Sequence, residues 1–527
     1  MMMLKSTLCC SAAALALLAG GAWAEALDIG IKAEISSADP HVLFGPNRNI
    51  GGQVYEPLFG TDNAQQPVPG LVETWELVEP TVYQFHLRPG VTFHDGKPLT
   101  AEDVKFSIER AKTLKASRTF ATYLNDVKAV EIVDDLTFRI HTTQPSAILI
   151  NNLTTFGIVS SAAAKDAAEQ DFLSGKAAVG TGPYKWVEWV PGDHVTLEAN
   201  DAYWGGAPEF DKLTYRFIAN DSTRVAALLS GDVDVIDEVA PTLVARLKGE
   251  PKVQVFSGTS YMLNYVALNQ HAEKNQYVTD QSGAPIPNPF LDVRVRQAVS
   301  LMLNRELISD RIMDGLATPA GQFVPEGMVG HFPELTAPAY DPQKARALLV
   351  EAGYPEGFNL TIHCTSDRYM NDAKVCQAMG QLLSAGGIKT QVQTLPGSTF
   401  FGRASNGGPN GEPEFAFFLV GFGAANGVAD AALSALVMTY DDEAGTGANN
   451  RGRFSDPEVD RLSNEAVVEN DPTKREELLK AAETQALDEV AIVPVHFLSG
   501  VWAAREGLTV TPRTDVFTRA SNITATQ

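Results

Sequence analysis

A mixed α/β protein built from several folding units is what this sequence predicts, and three observations carry that reading. Tyr83, Phe85 and Leu87 alternate with polar neighbours, the period-two signature of a half-buried strand. Thr100, with Asp103 three residues on, caps a stripe of Ala101, Val104, Ile108 and Ala111 at helical spacing. The chain has 527 residues, 44% of them apolar, enough for two to four units at about 100–200 residues each. The apolar content excludes a disordered chain, and four cysteines are too few for a disulfide-dense miniature scaffold.

The elements follow in chain order. Lys5 precedes an apolar run over residues 8–19, and Ala22-Trp23-Ala24 gives the small-x-small pattern that signal peptidase reads. The run is shorter than the about 20 helical residues needed to cross a bilayer. Residues 1–24 therefore read as a signal peptide cleaved after Ala24, not as an anchor. Cys9 and Cys10 lie before the apolar run is complete and do not mark a lipoprotein site. Residues 130–133 and 136–141 flank Asp134-Asp135 as a hairpin. Asp341-Pro342 and Asp456-Pro457 each place a cap before a proline at the first helical position. The first opens the stripe Ala345, Leu348, Leu349 and Ala352, stopped by Gly353; the second opens Val459, Leu462 and Ala466. Val375, Met379, Leu382 and Leu383 mark a further helix closed by Gly386-Gly387. Breaks rich in Gly, Pro and Asn fall near residues 60–69, 180–183, 281–289 and 406–413, and residues 441–450 read as an acidic, then glycine-rich, loop.

Charge and chemistry narrow the function. There are 41 basic residues against 64 acidic ones, a net of -23; such a chain has no attraction for phosphate backbones, so nucleic acid is not an expected partner. No later stretch approaches 18 uninterrupted apolar residues, so no direct membrane span is expected. Export leaves Cys364 and Cys376 in an oxidising compartment, either as a structural disulfide or as two separate buried thiols. The sequence holds no HExxH, no GxSxG and no GxxxxGK[ST]. Gly421-Phe422-Gly423 opens like a dinucleotide fingerprint, but Gly427 falls one position late. The nine histidines form no i,i+4 pair and no HxH, so no preassembled metal site or cofactor is expected. The chain reads as a binder rather than an enzyme.

Several blocks are more specific. Residues 93–107, Phe-His-Asp-Gly-Lys-Pro-Leu-Thr-Ala-Glu-Asp-Val-Lys-Phe-Ser, resemble the hallmark of the family 5 solute-binding proteins, which serve oligopeptide, dipeptide and nickel ABC importers. Asp39-Pro40-His41, Val54-Tyr55-Glu56-Pro57-Leu58, Gly180-Thr181-Gly182-Pro183-Tyr184, Tyr203-Trp204-Gly205-Gly206, residues 228–235, residues 292–298 and Gly386-Gly387-Ile388 resemble other blocks of that family, in the expected order. The resemblance implies an α/β, two-lobed type II periplasmic binding protein, cluster C-like, with an extra domain in the first lobe. Mapped here, lobe one is discontinuous over 25–59, 180–267 and 490–527. The extra domain is 60–179 and lobe two is 268–489, with crossings near Leu268-Asn269 and residues 490–494. Each block also has a structural role of its own: His94-Asp95-Gly96 suits a tight turn, Thr100 a cap, and Tyr203-Trp204 a core contact.

The resemblance further implies a monomeric periplasmic receptor that closes on its cargo by hinge motion and is read by inner-membrane ABC permease subunits. The expected cargo is a peptide or another small polar solute, with a nickel chelate, a glycan or an opine as alternatives on the same scaffold; an exported hydrolase is the alternative of a different class. In dipeptide-binding relatives an aspartate in a tryptophan-containing segment pairs the peptide's amino terminus. Here Phe422 stands where the tryptophan would be and Ala425 about where the aspartate would be, so that role would fall to Asp430 or to a displaced carboxylate. Asn426, in the same segment, is a further candidate contact. Arg368, with Tyr369, follows a strand and precedes a helix and is the candidate fork for a ligand carboxylate; Arg403 is a second. Phe44 and Tyr55 are proposed aromatic walls, and Asn269 a hinge contact. Arg451 resembles the family's region after the cleft loop. Tyr261 and Tyr265 alternate just before the hinge, where core packing suits them equally.

Overall fold

A computed structural model describes residues 26–115 and 119–526; the expected signal peptide, with Cys9 and Cys10, lies outside them. Two long strands, Val253–Leu268 and Val493–Arg505, organise the molecule. They pair antiparallel from Val253↔Arg505 to Val266↔Val493, with a register shift between Thr259 and Leu263. Beyond one edge of this ribbon the sheet continues through Val235–Ile236, Ala26–Ile31, Lys212–Phe217, His194–Ala199 and Tyr184–Val190. Beyond the other it continues through Phe417–Gly423, Asn359–Thr365, Lys274–Thr279 and Pro285–Pro287. Parallel pairs join Ala26–Ile31 to Lys212–Phe217, and Asn359–Thr365 to Lys389–Leu395. Parallel strands need long crossovers, and the helix Asp372–Ala385 is one of them.

Apolar burial divides along the same line. Leu27, Ile29, Tyr215 and Trp502 share one core; Val266, Leu360, Met379 and Val493 share another. On the long strands Phe256 packs with the first lobe, whereas Leu263, Tyr265 and Phe497 pack with the second. Phe256 and Leu263 thus lie on either side of the register shift between Thr259 and Leu263. A third core gathers Leu58, Phe85, Val104, Ile108, Phe138 and Ile140. It lies beneath a four-stranded antiparallel sheet in the order Val72–Glu79, Val82–Leu87, Thr137–Thr142 and Val127–Ile132. The helix Ala101–Thr113 opens on a capping box between Thr100 and Asp103, a device that contributes about 1 kcal/mol.

The sequence blocks converge on buried polar groups. The Glu56 carboxylate accepts bonds from Thr181 Oγ1 at 2.8 Å, Tyr203 Oη at 2.8 Å and Trp204 Nε1 at 2.9 Å. Gly180 N–H donates to His94 Nδ1 at 3.3 Å, which leaves Nε2 to carry the proton and donate to Gly182 O at 3.0 Å. Position 180 admits only glycine, since a Cβ there would lie 1.9 Å from Val54 O. Arg110 forks onto Asp39, at 2.9 and 2.5 Å, and also donates to His41 Nδ1 at 2.8 Å. Cys364 and Cys376 are joined as a disulfide in the second lobe's core, with Cα atoms 6.5 Å apart.

Candidate functional site

Two glycines shape a candidate binding floor. The strand Phe417–Gly423 pairs with the ribbon so that Gly421 faces Asn264 and Gly423 faces Met262. Residues two apart on a strand share a face, and here that face is paved with tyrosines. A Cβ at Gly421 would lie 2.7 Å from Tyr369 Cε1, and one at Gly423 would lie 2.5 Å from Tyr261 Cε2. The two rings therefore lie directly against backbone, and the Tyr369 hydroxyl donates to Gly421 O at 3.5 Å. Phe422, between the two glycines, packs with buried Val324, Met328 and Ala424 and with the second lobe's core.

Arginines surround this floor. The Arg368 guanidinium lies 5.6 Å from the Tyr369 ring centroid and has no carboxylate within salt-bridge distance among the described residues. Arg451 donates to Ser405 Oγ at 3.0 Å and Asn449 Oδ1 at 3.1 Å and stacks on Phe401 at 5.6 Å. Both charges act on the Tyr369 hydroxyl, whose pKa burial raises and they partly lower again. From the first lobe, Arg48 on the helix Gly45–Val54 stacks on Phe517 at 4.7 Å. Burial pushes the Tyr261 hydroxyl up to about 12, and the nearby Arg48 charge is the largest opposing influence; Tyr123 acts on the same group. Arg48 and Tyr55 line a small pocket of about 70 Å³ with Phe120, Thr155, Trp186 and Arg519. Arg519 is paired with Asp515 at 3.7 Å, whereas Arg48 has no carboxylate within salt-bridge distance among the described residues and suits a carboxylate, which Arg grips bidentately.

The remaining candidates scatter. Phe44 is the N-cap of the helix bearing Arg48 and is 40% exposed. Tyr55 is buried, its hydroxyl donating to Ala38 O at 3.3 Å. Asn269 is fully buried and closes a turn, its Oδ1 accepting from Ala272 N–H at 3.0 Å and Asn288 Nδ2 at 3.3 Å. Arg403 is committed to Glu414, at 2.8 and 2.6 Å, and stacks on Phe415 at 4.9 Å. Asp430 is buried against Arg475 at 2.6 Å, so it does not stand in for the missing aspartate. Asn426 bonds across the lobes to Asn152 at 3.0 Å. Sequence reasoning passed over Arg48 and Tyr123 and the meaning of Gly421 and Gly423. Paired glycines inside a strand do signal close approach of another group.

Two lobes hung on one pair of long strands, with tyrosines packed on backbone and arginines free of carboxylate partners beside them, define a bilobed binding protein. The model of the bacterial extracellular solute-binding proteins, family 5 Middle, matches residues 66–444, and the chain belongs to that family. Its task is to bind a solute for an ABC importer, not to transform it. The glutathione-binding protein GsiB of Pectobacterium atrosepticum is 29% identical over 474 residues, 89% of this chain and 88% of that one. HbpA2 from Haemophilus parasuis superposes with a TM-score of 0.79 at 25% identity, covering 95% of this chain and 100% of its own. The periplasmic binding protein DppA from Helicobacter pylori, in complex with the peptide STSA, superposes with a TM-score of 0.73 at 24% identity, covering 95% and 98%. No helix among the described residues is long and apolar enough to cross a membrane.

Proposed function

We propose that this protein is a periplasmic receptor for a short anionic peptide, held between its lobes and passed unaltered to inner-membrane permease subunits. One observation carries the reading: Arg48 from the first lobe and Arg368 and Arg451 from the second all reach the tyrosine floor without a carboxylate partner. A peptide bearing a carboxylate at each end satisfies both sets of forks, while its backbone lies extended along the strand Phe417–Gly423. With Ala425 where an aspartate would pair an ammonium, the amino group contributes little. Glutathione, a tripeptide with two carboxylates, is the first candidate, in keeping with the GsiB resemblance. The lobes are assigned to residues 26–59, 180–260 and 499–526 for the first and 263–497 for the second, with 60–179 as the extra domain, and the receptor acts as a monomer.

The test is a thermal-shift and calorimetric series on the mature chain with glutathione, its C-terminal amide, and neutral and cationic tripeptides. A ligand at 100 times its Kd stabilises by about 2.7 kcal/mol. The reading expects glutathione, with both carboxylates free, to shift the melting point most and the amide less. Equal shifts with cationic peptides, or none with any peptide, would sink it.

A further inference from the structure

The two lobes meet at a row of contacts that the cargo site does not explain. Asn426 Nδ2 donates to Asn152 Oδ1 at 3.0 Å, and these residues are only 5% and 7% exposed. Asn426 Oδ1 and Asn151 Nδ2 are buried and without a partner. Ala147 N–H donates to Val467 O at 2.8 Å, and the Tyr83 hydroxyl donates to Asn470 Oδ1 at 3.1 Å. Asn470 Nδ2 in turn donates to Pro80 O at 3.4 Å, and Gln66 Nε2 donates to Gly327 O. At Gly427, with φ at +79°, a Cβ would lie 2.6 Å from Gln65 O. On the near side, every one of these partners lies between residues 65 and 152, within the extra domain. None belongs to the first lobe's own core.

We propose that the extra domain is the closing jaw, and that Asn152 with Asn426 is its latch. Asn152 is then a positioning residue, which sets cargo affinity by stabilising the closed form without touching cargo. In the open form both amides are hydrated. On closure each loses water and finds the other, so removing one partner strands the second in a dry interface, which costs more than removing both. A latch therefore has a signature: each single alanine variant is worse than the double. A ligand-contacting Asn426 would behave differently, with Asn426→Ala weakening binding and Asn152→Ala leaving it unchanged. The proposal uses the same cleft as the anionic-peptide reading but does not need that cargo.

The test places spin labels on Lys128→Cys in the extra domain and Glu477→Cys in lobe two, both exposed positions, and reads lobe separation by pulsed electron resonance, with and without glutathione. Asn152→Ala is expected to lower the closed-to-open ratio about fivefold, and Asn152→Ala/Asn426→Ala to recover part of that loss, with the ligand-free melting point of each unchanged. An Asn152→Ala ratio equal to that of the unaltered protein, or an unaltered protein with no closed fraction in either condition, overturns the latch. Failure of glutathione to close the unaltered protein counts against the anionic-peptide reading, and the ligand-free ratio still decides the latch.

Discussion

Arg368 and Arg403 show how one residue type divides into two roles by its partners. Arg403 spends its fork on Glu414 and takes a further bond from its guanidinium to the Tyr277 hydroxyl at 2.7 Å, so its charge is neutralised inside lobe two. Arg368 has no such partner among the described residues and lies over Tyr369 at the cleft. Arg368→Ala should therefore weaken glutathione binding about ten- to a hundredfold, the worth of a charge-assisted bond of about 1.5–3 kcal/mol, with little change in the unliganded melting point. Arg403→Ala should do the reverse: affinity nearly kept, and the unliganded protein destabilised by about 1 kcal/mol. Calorimetry and denaturant titration of both variants check this, and equal affinity losses would remove the distinction. Arg368 could be nominated from sequence because the end of a strand ahead of a helix is where α/β folds bind ligands. Arg48 was not, because it sits inside a helix and reaches the cleft only through the chain's return from more than two hundred residues away.

At the scale of elements, the helix Pro472–Asp488 carries a buried acid that no local pattern announced. Glu483 is fully buried with both oxygens unpartnered, beneath Gly330 and near Asp430, which is paired with Arg475. Burial, with a smaller addition from Asp430, raises its carboxyl well above the usual range. A raised native pKa means that the folded state holds a proton the unfolded chain releases. That stability is fully present below about pH 4.5 and is lost as pH climbs toward the native pKa. Glu483→Gln keeps the shape without the charge. It should leave the urea midpoint unchanged near pH 4.5 and raise stability by about 1–3 kcal/mol at pH 8; a variant equally or more destabilised at pH 8 would refute the argument. The helix itself was not anticipated, although Asp471-Pro472 repeats the cap-and-proline start that was read correctly at 341 and 456. Its alternation of apolar and charged residues is weak, and it is buried by tertiary packing against the helix Pro457–Val468, which carries the stronger stripe.

For the whole molecule, two populations of buried groups pull stability in opposite directions with pH. Burial lowers His41, His94, His363 and His496 to about 4. Between that value and 6.5 the unfolded chain takes protons the native state refuses, so their contribution is present above pH 6.5 and lost as pH falls toward 4. Glu56, Asp237, Asp430 and Glu483 are raised instead, Asp237 to about 7, chiefly by burial. Their contribution is present in acid and lost as pH rises. The two sets are tied to the architecture: His94 and Glu56 bond to Gly182 and Thr181, while His496 lies on the long strand Val493–Arg505 and Glu483 on the helix Pro472–Asp488. In the window between about pH 4.5 and 6.5 the proton counts oppose each other. Below it the remaining protonation of the histidines adds to that of hydrogen-bonded carboxylates such as Asp292 and Asp515, whose pKa values are lowered. Stability measured by urea midpoint should accordingly form a plateau across that window, fall steeply below pH 4, and decline gently above pH 7. Four uncompensated histidines alone would instead give a rise of about 5 kcal/mol per pH unit near pH 5. A steep climb between pH 5 and 6.5 would therefore show that the buried acids do not hold their protons, and stability that rises as pH falls from 6.5 to 4.5 would show that the histidines are not kept neutral.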